Sequence, residues 1–452
     1  MPEAPAGSFE PLYTAAEMRA AEERYPGYPD TVPELMERAG AAVARYALDA
    51  FPEARRYAVV CGSGSNGGDG RVAARLLREA GRDAVETNAV EQADVVVDAL
   101  FGTGFHGEPR PEAAALIERI NGAPAPVVAI DLPSGVDAST GEIAGDAVRA
   151  ALTVTFHGTK LGLAVAPGAF HAGEVVVADI GLEPVETEHR LVTRELLELV
   201  PRKRPQDTKY SAGSVLVVGG APGLTGAVCL AAEAAFRADA GYVAVAVAPA
   251  SLPVVETKLL EPVKTTWAEA ATAAERAGAV ALGPGLGRTD EARALVRRLL
   301  AELEQPVVLD ADALHELEPE RWRPPVVMTP HAGELGRLLG ESSAWVGAHR
   351  LEAAGRAVGR FGCVCLLKGS DTIVAAPGEG VLVCRAPTAA LATAGTGDVL
   401  TGVLAAYLAK GLEPRLAAAA AATATAEAAR LVGFPTGVTA GDVVAALPSV
   451  RA

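Results

Sequence analysis

Near the end of the chain, Gly395-Thr396-Gly397-Asp398 stands at the mouth of an apolar helical run, 399–409. Free amides at a glycine-rich helix start make an anion hole, and a carboxylate beside them can take a proton from a hydroxyl. Asp398 therefore reads as a general base, or else as an ordinary acidic residue of a first helical turn. Lys368-Gly369-Ser370-Asp371-Thr372 supplies a cation and hydroxyls suited to nucleotide phosphates. Gly283-Pro284-Gly285-Leu286-Gly287 lets a ligand approach the backbone closely, and His331, after Pro330 and close to Glu334, brings an imidazole to a strand end. Asp310 and Asp312 end a further strand, as helix caps or hydrogen-bond partners on one reading and as magnesium-linked groups on the other.

Three more such points lie in the first half. The stretch from Gly62 to Gly70 contains the Gly62-x-Gly64-x-x-Gly67 spacing of a dinucleotide site, with Asp83 or Glu86 available to a ribose. Asp69 argues against a pyrophosphate there, because like charges repel unless a cation intervenes. Asn66 and Asp69 suit polar contacts to a ligand or a monovalent cation among exposed amides. The plainer alternative is a tight glycine turn with Asp69 as a cap. Asp98 precedes the turn Gly102-Thr103-Gly104 and repeats the pairing of carboxylate and glycine. Asp131, just before Leu132-Pro133-Ser134-Gly135, is either a general base in a cleft or an N-cap.

These points need elements to hold them, and the apolar pattern supplies candidates. Short apolar runs read as strands at 57–61, 94–100, 126–130, 152–156 and 174–178, then at 214–218, 242–248, 279–282, 306–309, 326–328, 363–367, 372–375 and 380–384. Helical patterns alternate with them, which predicts α/β units around parallel sheets. Nearly every polar cluster follows a strand, where open α/β sheets bind ligands, so two sites are expected. Between the halves, 182–207 is charged, carries Pro184, Pro201 and Pro205, and has one short helical pattern, 193–199. The boundary is placed near residue 200, giving domains 1–200 and 201–452.

Charge and composition exclude several partners. Lys plus Arg number 40 against 56 Asp plus Glu, a net charge of −16, which repels nucleic acid and anionic membrane. The run Arg202-Lys203-Arg204 reads as a solvated linker. No pair of the 5 cysteines has CxxC spacing, which argues against structural zinc and a disulfide framework. No membrane-spanning run or signal-peptide pattern is read, so a cytoplasmic protein is expected.

The order of motifs carries a resemblance. Residues 12–182 resemble the NAD(P)H-hydrate epimerase domain through Leu35-Met36-Glu37-Arg38-Ala39-Gly40, the Asn66 to Gly70 turn, Asp98 to Gly104, Asp131 to Gly135, Lys160-Leu161-Gly162 and Asp179-Ile180-Gly181. Residues 206–448 resemble the ADP-dependent NAD(P)H-hydrate dehydratase domain, a relative of ribokinase-like kinases, through Gly219-Gly220, Gly226-Ala227, the 283–287 loop, Thr329 to Glu334, Lys368 to Thr372 and Gly395 to Asp398. Together they resemble the bifunctional NAD(P)H-hydrate repair family, implying a Rossmann-like three-layer α/β domain followed by a ribokinase-like α/β domain.

That resemblance implies roles. Ser65-Asn66-Gly67-Gly68-Asp69, Gly102-Thr103-Gly104-Phe105-His106-Gly107-Glu108 and Asp131 would contact the hydrated nucleotide, with Asp131 as acid/base for inversion at C6. Asn66, Asp98 and Ser134 would hold potassium. In the second half Ala227, Gly285, His331 and Asp398 would contact the S hydrate, and Lys368, Gly369, Ser370, Asp371, Thr372 and Gly397 the ADP. Asp398 would activate the hydroxyl toward the terminal phosphoryl of ADP, aided by Mg²⁺, and elimination would restore NADH or NADPH with release of AMP and phosphate. Assembly of identical copies is also implied. Two departures stand out: Ser65 where the family has a second Asn, and Thr208-Lys209-Tyr210 where it has His-Lys-Gly. Two alternatives are an ATP-dependent kinase of a small hydroxymethyl or sugar substrate fused to a nucleotide-binding module, and a first half that binds nucleotide or a partner without turnover.

Overall fold

In a computed structural model, residues 4–451 are described except Arg321, Pro387 and Pro435. The chain forms two compact units. One comprises Pro11–His189 with Gly347–His349; the other comprises Met1–Glu10, Arg190–Val346 and Arg350–Ala452. The chain thus changes unit at His189/Arg190, ahead of the boundary expected near residue 200. Arg190–Val192 explains the difference, because it pairs with Leu382–Arg385 of the second unit.

The first unit is built on a wholly parallel sheet. Its strands lie in the order Asp83–Glu86, Arg56–Cys61, Val95–Ala99, Val127–Ile130, Leu152–Phe156, Glu174–Ala178. Strands buried on both faces read as continuous apolar runs, and Val95–Ala99 is buried at every position. Sequence order reverses between Arg56–Cys61 and Val95–Ala99, the kind of switch point where a crevice opens at the strands' carboxyl ends. The helix after the first of these runs Ser65–Glu79, so Ser65 to Asp69 form its opening turns.

In the second unit Ala279–Leu282, Ser214–Gly219 and Tyr242–Val247 are parallel neighbours, with the switch point between the first two. Val307–Leu309, Val326–Met328 and Val364–Leu367 continue the parallel sheet, and Asp371–Ala375 and Leu382–Arg385 extend it antiparallel. The helix Thr396–Ala409 is buried over most of its length. It packs against Thr225–Arg237 so closely that a side chain at Gly402 would strike the Ala231 carbonyl. The alanine-rich helix Pro414–Leu431 is core of this unit: Ala417 through Ala421 are fully buried. Residues 194–199 form a 3-10 helix whose Leu196 and Leu197 are buried in the same core. The basic run is no free linker, since Lys203 pairs with Asp239 and Arg202 donates to the Arg451 carbonyl at 2.6 Å.

Candidate functional site

At the first switch point the glycines are fixed by sterics. A Cβ at Gly62 would strike the Leu100 carbonyl and one at Gly67 the Gly62 carbonyl, while Gly68 lies against Met36. This close approach lets Asn66, buried at the helix start, donate Nδ2–H to the Phe101 carbonyl at 2.8 Å. Phe101 N–H in turn donates to Ser134 Oγ at 2.9 Å, and Ser134 donates to fully buried Asp98 through Oγ at 2.7 Å and N at 2.8 Å. The three predicted potassium ligands are therefore joined through the backbone of Phe101. Burial pushes Asp98 up to about 6 despite these donors.

Asp131 is no helix cap. It adopts a left-handed backbone, φ 66°, and its Oδ1 lies 2.6 Å from Lys160 Nζ and 3.1 Å from Thr155 Oγ1. Lys160, 1% exposed, also donates to Thr155 Oγ1 at 2.9 Å and the Phe156 carbonyl at 2.7 Å. A cavity of about 870 Å³ opens onto Asp131, Ser65, Asn66, Asp69, Gly102 to His106, and Glu108. Of the predicted contacts, Gly67, Gly68 and Gly107 are not on its wall. Phe101 and Phe105 stack on one side of it, centroids 4.6 Å apart.

Two acids complete this wall. Asp69 is pushed up to about 8, first by burial and then by the charges of Asp131 and Glu22. Glu22, on the helix Ala15–Glu23, is raised by burial and Asp131 and eased by Lys160. Sequence reading missed Glu22 altogether and used Lys160 only as part of a motif; a lysine just after a buried strand was the available signal. Neither ribose candidate lines this cavity: Glu86 pairs with Arg71 at 2.9 Å, and Asp83 begins its strand.

At the second switch point Gly219 and Gly220 pack against the 283–287 loop, with Gly220 N–H donating to the Pro284 carbonyl at 3.0 Å. A Cβ on Gly285 would lie 3.2 Å from that of Ala227, so these two predicted contacts are neighbours. His331 caps the helix Ala332–Leu339: Nδ1 accepts from Gly333 N–H at 3.0 Å, and Glu334 returns a bond to His331 N–H at 2.8 Å. With Nδ1 an acceptor, the neutral ring carries its proton on Nε2, and burial lowers its affinity for a second one.

Lys368 Nζ sits 2.7 Å from Asp310 Oδ1, and a Cβ on Gly397 would lie 3.5 Å from that Nζ. Burial opposes its charge, but Asp310 and Glu334 outweigh burial and hold it as ammonium. Asp398 occupies the first turn of Thr396–Ala409, after Gly395 at φ 93°. Burial, then the Asp310 charge, pushes it up to about 7. Beside it a cavity of about 540 Å³ is lined by Lys368, Gly369, Ser370, Thr372, Thr396 and Gly397 and by Leu391, Leu400 and Ala422, a polar rim over an apolar wall. Asp371 is off that wall; its carboxylate is held by buried Arg350 at 2.9 Å. Arg350 also donates to the carbonyls of Leu367, Lys368 and Asp371 at 3.4 Å each, a staple under the loop that sequence reading missed.

The remaining candidates are held by partners of their own. Asp312 accepts from Gly287 N–H at 2.9 Å and pairs with Arg288 at 3.0 Å. Asp310 sits at an N-cap position without making a cap bond. Lys209 lies over the rings of Tyr210 and Tyr242, beside the amino end of the strand Tyr242–Val247, so the departure at 208–210 is remote from the glycine loops at the carboxyl ends.

Family comparisons agree with this division. Residues 215–446 match a family described as NAD(P)H-hydrate dehydratase, and residues 32–91 and 82–162 match the YjeF-related protein N-terminus. Bifunctional NAD(P)H-hydrate repair enzymes of Pyrobaculum aerophilum and Moorella thermoacetica are 40% and 38% identical to the chain, covering 92% and 97% of it and 93% and 96% of their own lengths. Among solved structures, a Bacillus subtilis ADP/ATP-dependent NAD(P)H-hydrate dehydratase co-crystallised with ATP/Mg²⁺ aligns at TM-score 0.53 and 27% identity, covering 57% of this chain and 96% of its own.

Proposed function

The chain belongs to the bifunctional NAD(P)H-hydrate repair enzyme family, and we propose that it returns both epimers of hydrated NADH and NADPH to the intact cofactors in two steps. In the first unit the hydrate lies in the Asp131 cavity and its C6 configuration is inverted. Asp131, ion-paired with Lys160, takes the proton of the C6 hydroxyl as the C6–N1 bond opens to an aldehyde. Asp69, which keeps its proton near neutrality, gives it to N1, and reclosure on the other face of the aldehyde inverts C6. Potassium suits the Asn66–Asp98–Ser134 cluster, whose donors are a carboxylate, an amide and a hydroxyl, and would neutralise the buried Asp98.

In the second unit Asp398 takes the proton of the C6 hydroxyl as that oxygen attacks the terminal phosphoryl of ADP. AMP departs, and the phosphorylated oxygen then leaves C6 as phosphate while C5 gives up a proton, restoring the ring double bond. The amides of Gly395 to Gly397 and the Lys368 ammonium face the charge that develops on the phosphoryl. The apolar cavity wall suits the adenine, and His331 Nε2–H suits the hydrate. Magnesium finds no dedicated cage here, since Asp310 and Asp312 are both occupied, so it would be carried on the nucleotide phosphates. We place this repair in the cytoplasm; no helix among the described residues is long and apolar enough to cross a membrane.

The observation that carries the reading is Asp398, a base tuned to about 7, beside the Lys368 rim of a nucleotide-sized cavity. Asp398→Ala is expected to keep ADP binding by calorimetry and to lose dehydration by about 10²–10⁴-fold. Unchanged dehydration contradicts the assignment.

A further inference from the structure

Asp310 is 1% exposed, at the end of the strand Val307–Leu309. Its Oδ1 accepts from Lys368 Nζ at 2.7 Å and Thr329 Oγ1 at 2.8 Å, and its Oδ2 accepts from Thr401 Oγ1 at 2.7 Å. Its N–H donates to the Leu282 carbonyl at 3.1 Å, and a side chain at Gly283 would strike its own carbonyl. One residue thus touches four segments: the glycine loop, the strand end leading to His331, the nucleotide loop at Lys368, and the helix bearing Asp398.

Thr401 lies one turn beyond Asp398 on that helix, so its bond to Asp310 sets where the first turn stands. We propose that Asp310 is the positioning residue of the dehydratase site, a single carboxylate that aims the Lys368 ammonium and the Asp398 helix together and keeps the two from pairing with each other. This rests on the dehydratase reading given above.

The charge balance shows why such a residue is needed. The groups facing one another here are Asp310, Asp312, Asp398, Glu334, His331, Arg337 and Lys368. A buried ammonium demands a counter-ion. Without Asp310 the remaining carboxylates near Lys368 are Glu334, 3.8 Å away, and Asp398 itself. An Asp398 paired with Lys368 is a weaker base, and that lysine is turned from the phosphates. With Asp310 in place its negative charge instead helps hold Asp398 up near neutrality, where a general base works best.

The test is ADP-dependent dehydration of the S hydrate across pH, in the full chain, with Asp310→Asn and Thr401→Val. Dehydration needs ionised Asp398, so the rate climbs with pH through its proton affinity. Asp310→Asn removes a repelling charge and frees Lys368 toward Asp398. It is expected to move that limb to lower pH by roughly one unit and to lower kcat/KM for ADP by about 100-fold. Thr401→Val deletes one bond and leaves every charge, so it should lower kcat several-fold with the limb unmoved. An Asp310→Asn enzyme with wild-type rate and limb overturns the proposal. If that variant does not fold, as read by its thermal transition, an unchanged kcat in Thr401→Val overturns it. A wild-type chain that fails to dehydrate the hydrate overturns the reading underneath.

Discussion

Each unit contrasts a carboxylate in an ion pair with one whose proton affinity is raised by burial. Asp131 and Asp310 are ion-paired with Lys160 and Lys368, whereas Asp69 and Asp398 are raised chiefly by burial. Asp69 makes a specific prediction. As proton donor it is competent below about 8 and spent above it, so epimerisation is expected to decline as pH rises through that value. Asp69→Asn should lower the rate by about 10²–10⁴-fold and abolish the alkaline limb; a limb that persists removes Asp69 from the proton path. The same shift has a stability sign. A carboxyl raised above its unfolded value of about 4 binds more protons when folded, so its contribution falls as pH climbs from there to about 8. Asp131 was legible in the chain because it directly follows a strand, and Asp398 because Gly395-Thr396-Gly397 opens an apolar helix. Lys160, Glu22 and the part played by Asp310 were not, since their meaning comes from partners far off in sequence, such as Asp310 with Thr401.

At the scale of elements, the central strands were readable because parallel strands covered on both faces leave unbroken apolar runs. Asp83–Glu86 and Val263–Thr266 lie at sheet edges, and Phe9–Pro11 and Arg190–Val192 are short and partly exposed, so none of the four showed such a run. The opening of the helix Ser65–Glu79 was hidden by Gly67, Gly68 and Gly70, each unfavourable inside a helix by about 1 kcal/mol. Tertiary packing overrides that cost, since Gly70 lies against Ala99 and Cys61. The loop from Lys368 to Thr372 is kept in shape by Arg350. Arg350→Met strands the Asp371 carboxylate in the interior and is expected to lower stability by about 3–5 kcal/mol in urea and to raise KM for ADP. A variant with unaltered stability and KM contradicts the staple.

At the scale of the whole molecule, two sheets of different strand order place their crevices by one rule, and the chain carries the motifs of both in sequence order. The linker was the least legible part, because its prolines and charges look like a spacer while Leu196, Leu197 and Val200 are core residues of the second unit. A fragment beginning at residue 190 is therefore expected to be more stable than one beginning at 201. The difference should be about 1.5–3 kcal/mol for each apolar side chain kept, read by urea unfolding; equal stabilities would return the boundary to residue 200.

The central claim, that one chain repairs both epimers, is tested most directly by giving it mixed R and S hydrates of NADH with ADP, Mg²⁺ and K⁺. The readout is the recovery of reduced-nicotinamide absorbance. The account predicts complete recovery, faster than spontaneous epimerisation and dependent on ADP, with Asp131→Asn stopping at the S fraction. No recovery with ADP or ATP would contradict it and bring forward a kinase of a different hydroxyl substrate.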